Sequence, residues 1–195
     1  MDLTPARREI VTERLLLQAG DETLAESLAD FYSRNRRHFA PWDPPTIDSF
    51  YTPAAQAERI RLGLKAFTEG AGFRYWLSLS TEPARVIGSV HFSQVARGAF
   101  HSCVLGYALD QHCQGRGLMH EALSATIDEM FSPQVNLHRI QAAYRPENKR
   151  SGAVLTRLGF RPEGLAKDYL FIAGAWRDHQ MTALTNPMFN EPSDW

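Results

Sequence analysis

The chain has 195 residues, 44% hydrophobic and 22% charged, with a formal net charge of −1. That profile predicts one soluble globular domain over residues 1–195, and its near-neutral charge gives no global attraction to nucleic acid or an acidic membrane. No apolar run could span a bilayer, "MDLTPARREI" lacks the apolar stretch of a signal peptide, and two cysteines make no secreted disulfide scaffold, so a cytoplasmic protein is expected.

"RLLLQAG" (14–20) reads as a first short strand. Leu24, Leu28, Phe31 and Tyr32 then recur at helical spacing over 21–35, with Asp21 as the N-cap. The prolines of "HFAPWDPPT" end that helix and hold Trp42 in a stiff loop. Ile60, Leu64 and Phe67 share one face of a second helix over 53–69, opened by Pro53 and closed by Gly70. Alternating runs predict strands over 74–80, 85–93 and 102–110. After Gly117, a helix carries Leu118, Ala122, Ile127 and Met130 on one side. A strand over 139–144, a helix over 149–158 stopped by Gly159, and strands over 167–172 and 180–185 complete the chain. The last two are expected to pair antiparallel, with "AGAW" turning between them. The order β-α-α-β-β-β-α-β-α-β-β is not that of a doubly wound parallel sheet, because three strands follow each other without helices. It predicts a mixed sheet with helices on both faces.

The stretch "DQHCQGRGLMHEAL" (110–123) places Gly115 and Gly117 just before a helix. Two physical readings fit. The glycines can shape a nest of backbone amides that holds an anion at the helix N-terminus, or simply make a tight strand-to-helix turn. It is not a P-loop, since no Gly-Lys-Ser/Thr follows.

This stretch, read from His112 through Gly115 to Gly117, resembles motif A of the Gcn5-related N-acetyltransferases (GNAT). His112 stands where Gln or Arg is usual, which matters little if main-chain amides do the binding. "RNRRHFAPW", "LGY", "NKRSGAVLTRLGF" and "KDYLFIAGAWRDH" are similar in order and spacing to the RimJ and RimL type. The resemblance implies an α/β (α+β) fold whose mostly antiparallel sheet splays between its fourth and fifth strands. It also implies acetyl-CoA as cosubstrate and direct acetyl transfer to the N-terminal alanine of a small-subunit ribosomal protein.

Carried over residue by residue, it implies that the backbone of Tyr107, Ala108 and Leu109 pairs with the pantetheine arm. A main-chain amide of that strand would hold the oxyanion. The pyrophosphate would sit on amides of Gln114, Gly115, Arg116, Gly117, Leu118 and Met119. Arg116, Lys149 and Arg150 are either phosphate contacts or solvated surface. Asn148 is a plain N-cap or a pantetheine contact, and Ser151 is one turn into the helix or the acid for the leaving thiolate. Many relatives place a tyrosine for that task where this chain has Leu155.

The attacking amine must be a free base. An α-amine, with a pKa near about 7.7–8.0, needs only a weak base, whereas a lysine near about 10.4 needs more help. Relatives of the RimL type use a glutamate at the position of Leu170, so Asp168, two residues earlier on the same strand face, is the leading base, with Tyr169 and Asp178 beside it. Trp42 either walls the peptide groove or plugs the core, and Glu9 and Asp43 either attract a positive terminus or are ordinary surface acids. His101, Cys103, His112 and Cys113 have no chelating spacing, so no metal is expected. Two other functions stay open: acetylation of a small amine such as a polyamine or aminoglycoside, and a cofactor-binding role in ribosome assembly.

Overall fold

The computed structural model describes residues 6–191; the first five residues of the stretch read for a signal peptide lie outside them. Strands β1 (Glu9–Val11), β2 (Leu15–Gln18), β3 (Phe73–Leu79), β4 (Glu82–Ala96), β5 (Ser102–Leu109), β6 (Arg139–Tyr144), β7 (Arg161–Ile172) and β8 (Ala175–Thr185) form one sheet. The spatial order is β1-β2-β3-β4-β5-β6-β8-β7. Every junction is antiparallel except β5–β6, which is parallel. Four helices accompany it: α1 (Ala25–Phe39), α2 (Pro53–Thr68), α3 (Leu118–Phe131) and α4 (Lys149–Arg157).

Local signals explain most boundaries. Asp21 accepts a hydrogen bond from the Thr23 amide, and the chain makes one 3₁₀ turn before α1 begins. Pro53 opens α2 behind a Thr52 side chain that accepts from the Ala55 amide. The β7–β8 turn sets Ala173 and Gly174 at φ +49° and +78°, the left-handed pair that suits a two-residue hairpin.

The sheet is covered on both faces, as its order predicts. Tyr75, Leu77 and Ile87 pack with Leu118, Ala122 and Ile127 of α3 in one core cluster. Trp76 and Val86, on the other face, pack with Leu28, Phe31, Tyr32 and Ile60 of α1 and α2. Complete burial of both Tyr75 and Trp76 fixes the register of β3, since a one-residue slip exchanges the two faces.

Three expectations are corrected. Residues Glu9–Val11 add an edge strand too short to give a periodic signal. Helix α1 runs on to Phe39, because Pro41 is the first residue that cannot extend it. The last two strands start earlier than their apolar runs, at Arg161 and Ala175, because β7 is an exposed edge whose pairing is carried by backbone.

Candidate active site

The expected splay opens where β5 and β6 part. Parallel pairing runs from Ser102 opposite Arg139 to Leu105 opposite Ala142 and stops there. Gly106, Tyr107, Ala108 and Leu109 continue on β4 alone, and Ala143 and Tyr144 continue on β8. The β6-facing backbone of Gly106 to Leu109 is therefore a free sheet edge inside the molecule, ready to take an extended ligand as an added strand.

The loop after β5 is held from beneath. Asp110 is 1% exposed and accepts hydrogen bonds from Arg34 Nε at 2.7 Å, Asn35 Nδ2 at 3.2 Å and the His112 amide at 2.9 Å. Burial works to raise its pKa, and those donors outweigh it and hold the carboxyl below its ordinary value. Asn35 Oδ1 in turn accepts from the Gln111 amide at 3.0 Å. On the far side, Arg14 ion-pairs with Glu121 and donates to the Arg116 carbonyl at 2.9 Å. Both glycines sit at φ +77°, and a side chain at Gly115 would meet only open space. The bare residue thus serves backbone shape there, as the turn reading requires.

The first hydrogen bond of the α3 ladder runs from the Glu121 amide to the Gly117 carbonyl. The amides of Leu118, Met119 and His120 precede it, at the positive end of the helix dipole. The side chains of Leu118 and Met119 are buried in the core, so only their amides are available to an anion. Gln114 ties this loop to two helices: its Nε2 lies 2.8 Å from His38 Nε2, and its Oε1 accepts from Arg150 at 2.7 Å. Burial and the Arg150 charge hold His38 below its ordinary pKa.

At the mouth of the splay, the Tyr107 and Ser151 hydroxyls are 2.7 Å apart. Asn148 caps α4 by accepting from the Ser151 amide at 3.2 Å, which sets Ser151 in the first turn. Burial pushes the Tyr107 phenol up to about 12 despite the Ser151 hydrogen bond, so it keeps its proton. Gly152 gives the Tyr144 ring room to approach, since a Cβ there would lie 2.8 Å from it.

On the α1–α2 side a groove of about 600 Å³ reaches Gly106, Tyr107 and Ala108. Asp43, Pro44, Pro45 and Thr46 of the proline loop, Arg59, Arg74, His91 and the hairpin residue Ala173 line it. Asp43 is solvent-accessible in this lining, and desolvation by the surrounding groove pushes its carboxyl up to about 6 against the opposing pull of Arg59.

The family model for the acetyltransferase (GNAT) domain matches residues 14–161. The chain belongs to the GNAT family. It is 44% identical over 178 residues, 91% of each chain, to the [ribosomal protein uS5]-alanine N-acetyltransferase of Escherichia coli K12. Among solved structures it resembles the ribosomal-protein-S5-alanine acetyltransferase of Vibrio fischeri, at 38% identity and TM-score 0.89 over 94% of this chain and 99% of that one. It also resembles Mycobacterium smegmatis RimJ in complex with CoA-disulfide, at 30% identity and TM-score 0.83, covering 91% and 84%.

In this acetyltransferase the splayed edge, the glycine turn, Asn148, Arg150 and Ser151 lie on adjoining elements, as the motif reading expects. Arg116 and Lys149 are exposed beside them. The expected base is not brought in. Ala166 pairs with His179 and Leu170 with Arg177, so β7 bulges between them and Asp168 turns to φ +48°. The two-residue alternation that put Asp168 on the face of Leu170 fails across this bulge. The Asp168 amide donates to Asp178 at 3.1 Å, Asp178 pairs with Lys167, and Tyr169 packs its ring on His179; none of these residues lines the groove.

Trp42 does not wall the groove either. It is not among the lining residues; its ring takes the Arg145 guanidinium at 5.5 Å, and Arg145 also donates to the Pro41 carbonyl, which ties the proline loop to the turn after β6. Glu9 is exposed on the edge strand β1. The Tyr107 hydroxyl and the arginines of the groove carry no local motif, and Asp43 is distinguished in the sequence only as the single acid of the proline loop.

Proposed function

We propose that this acetyltransferase moves an acetyl group from acetyl-CoA to the α-amine of the N-terminal alanine of ribosomal protein uS5, in the cytoplasm. The carrying observation is 44% identity over 91% of both chains to an enzyme of that name. The groove adds a physical argument against polyamines and aminoglycosides. Its lining holds Arg36, Arg59 and Arg74 against the single carboxylate Asp43, which suits one ammonium and repels a polycation.

The residues present fit coenzyme A. The free edge of Gly106 to Leu109 offers backbone partners to a pantetheine arm, the α3 amides and Gly115 offer space and donors to a pyrophosphate, and Arg116 and Arg150 offer charge. The thioester supplies an activated acetyl group. Backbone amides at the splay orient its carbonyl and stabilise the negative charge that develops there. Asp43, ionised at neutral pH, orients the α-amine, which attacks as the free base, and takes the proton the nitrogen sheds as the new C–N bond forms and the thioester C–S bond breaks. The paired hydroxyls of Ser151 and Tyr107 give a proton to the departing sulfur. Incubation with acetyl-CoA and the organism's own uS5 chain, followed by fragment mass spectrometry, tests the reading. A mass gain confined to the first residue supports it, and a gain on internal lysines overturns it.

A further inference from the structure

Two guanidiniums, Arg59 and Arg74, stand half-buried in the groove wall; Asp43 across the groove and Glu58, which pairs with Arg61, are the acids near them, and neither is in ion-pair contact with them. Among the described residues neither Arg59 nor Arg74 makes an ion pair. Arg59 lies over the rings of Tyr32, Phe50 and Trp76 at 4.9, 5.2 and 5.4 Å, and its Nη1 is buried with no hydrogen-bond partner. Arg74 shares the Trp76 ring at 5.3 Å. Between them and the splay stands His91, paired with Arg74 on one side and Gly106 on the other. Burial and the two arginines push its imidazole down to about 3, so it stays neutral and leaves the positive charge to them. These three side chains also border a second cavity of about 380 Å³ between α2 and the sheet, so the charge is open from the groove and from behind it. A desolvated guanidinium with a buried unused donor, as at Arg59 Nη1, is an unfavourable arrangement unless an anion completes it.

We propose that Arg59 and Arg74 form a carboxylate-reading subsite for the acceptor, selecting an Asp or Glu side chain at its third or fourth residue. This rests on the α-amine reading above. The position follows from the sheet. Gly106, at the head of the splay, His91 and Arg74 are cross-strand partners on one face, so the Arg74 backbone lies two strand spacings, about 10 Å, from the head of the splay, where the proposed function brings the acetyl group. An extended peptide advances about 3.4 Å per residue, which places its third or fourth residue over the pair. The planar, forked donors of arginine suit a carboxylate oxygen pair.

The test uses the full chain, acetyl-CoA and neutral alanine-first peptides carrying a single Glu, or Gln as control, at each position from the second to the sixth. The expected result is a kcat/KM preference for Glu over Gln of about tenfold or more at the third or fourth position only. Arg74→Gln and Arg59→Met erase the Glu-to-Gln ratio, and Arg74→Lys keeps part of it. Equal rates at all positions, or a preference that survives both replacements, overturn the subsite. Calorimetry with the already acetylated peptides asks the same question without turnover. Acetyl transfer to none of the peptides overturns the α-amine reading, and equal binding of the Glu and Gln products overturns the subsite independently of it.

Discussion

With its carboxyl pushed up to about 6, Asp43 is ionised at pH 7 and becomes protonated within the range where the enzyme can still be assayed. Transfer by the proposed mechanism needs a neutral amine and an ionised Asp43. Below pH 6 both are being lost, so log kcat/KM is expected to climb about two units per pH unit there and one unit between about 6 and 7.7. Asp43→Asn should keep the slope of one throughout, at a lower rate; an unchanged wild-type profile in the variant contradicts the role. Linkage gives a separate signature. The folded state holds this proton more tightly than the unfolded chain, whose ordinary value is 3.8, so wild-type stability falls as pH rises from about 4 to 6. The variant should lack that fall, which thermal melts across this window would show. For the proton donors, Ser151→Ala should lower kcat by about 10²-fold or more if the hydroxyl supplies the thiolate's proton, with Tyr107→Phe less severe. Coenzyme A affinity measured by calorimetry should move little in Tyr107→Phe, whose ring and backbone are intact.

Between β5 and α3, the connecting loop is shaped by backbone and clamped by charges, and the two contributions are separable. Gly117→Ala asks an L-residue to sit at φ +77°, a cost of about 1–2 kcal/mol, and the loop is expected to relax by moving its amides. Weaker coenzyme A binding with a nearly unchanged melting temperature is the predicted result. Asp110→Ala removes one partner of Arg34, which keeps Asp30 and the Val86 carbonyl, leaves the Asn35 and His112 amide donors unpaired there, and should cost about 1–3 kcal/mol in urea unfolding. Because the Asp110 pKa is held down in the fold, this stabilisation is present above its ordinary 3.8 and is lost as pH falls through the lowered value.

These elements also mark what a single sequence can convey. The glycine turn, the α4 cap and the alternation of β3 to β5 are local patterns, and each is visible in a few adjacent residues. Asp110 looks like any strand-end acid until Arg34 and Asn35, some 76 and 75 positions away, close on it. Asp43 gains its raised pKa only when the fold desolvates it, against the opposing charge of Arg59 sixteen positions on. The misplaced base has the opposite origin. Strict alternation along β7 fails through residues 166–170, where a bulge at an exposed sheet edge breaks the period without any glycine or proline to announce it.

At the scale of the whole molecule, near-neutral net charge conceals a divided surface chemistry. Arg116 and Arg150 gather beside the α3 N-terminus, the groove holds three arginines and one acid, and the described helices include none long and apolar enough to cross a membrane. In the proposed mechanism one sheet serves both substrates: its splayed edge between β5 and β6 takes coenzyme A, and its cross-strand row of Arg74, His91 and Gly106 lines the groove for the acceptor. A polycation finds no acidic cluster in such a groove, and a lysine side chain brings an amine too basic for a lone carboxylate of modest pKa. The most direct test is a competition in one tube. Acetyl-CoA is supplied to an alanine-first uS5 peptide, the same peptide with its terminus blocked and a lysine free, and spermidine, and mass spectrometry follows the acetyl group. Label on the free alanine terminus with the other two unmodified is the predicted outcome; transfer to spermidine or to the lysine would contradict the account.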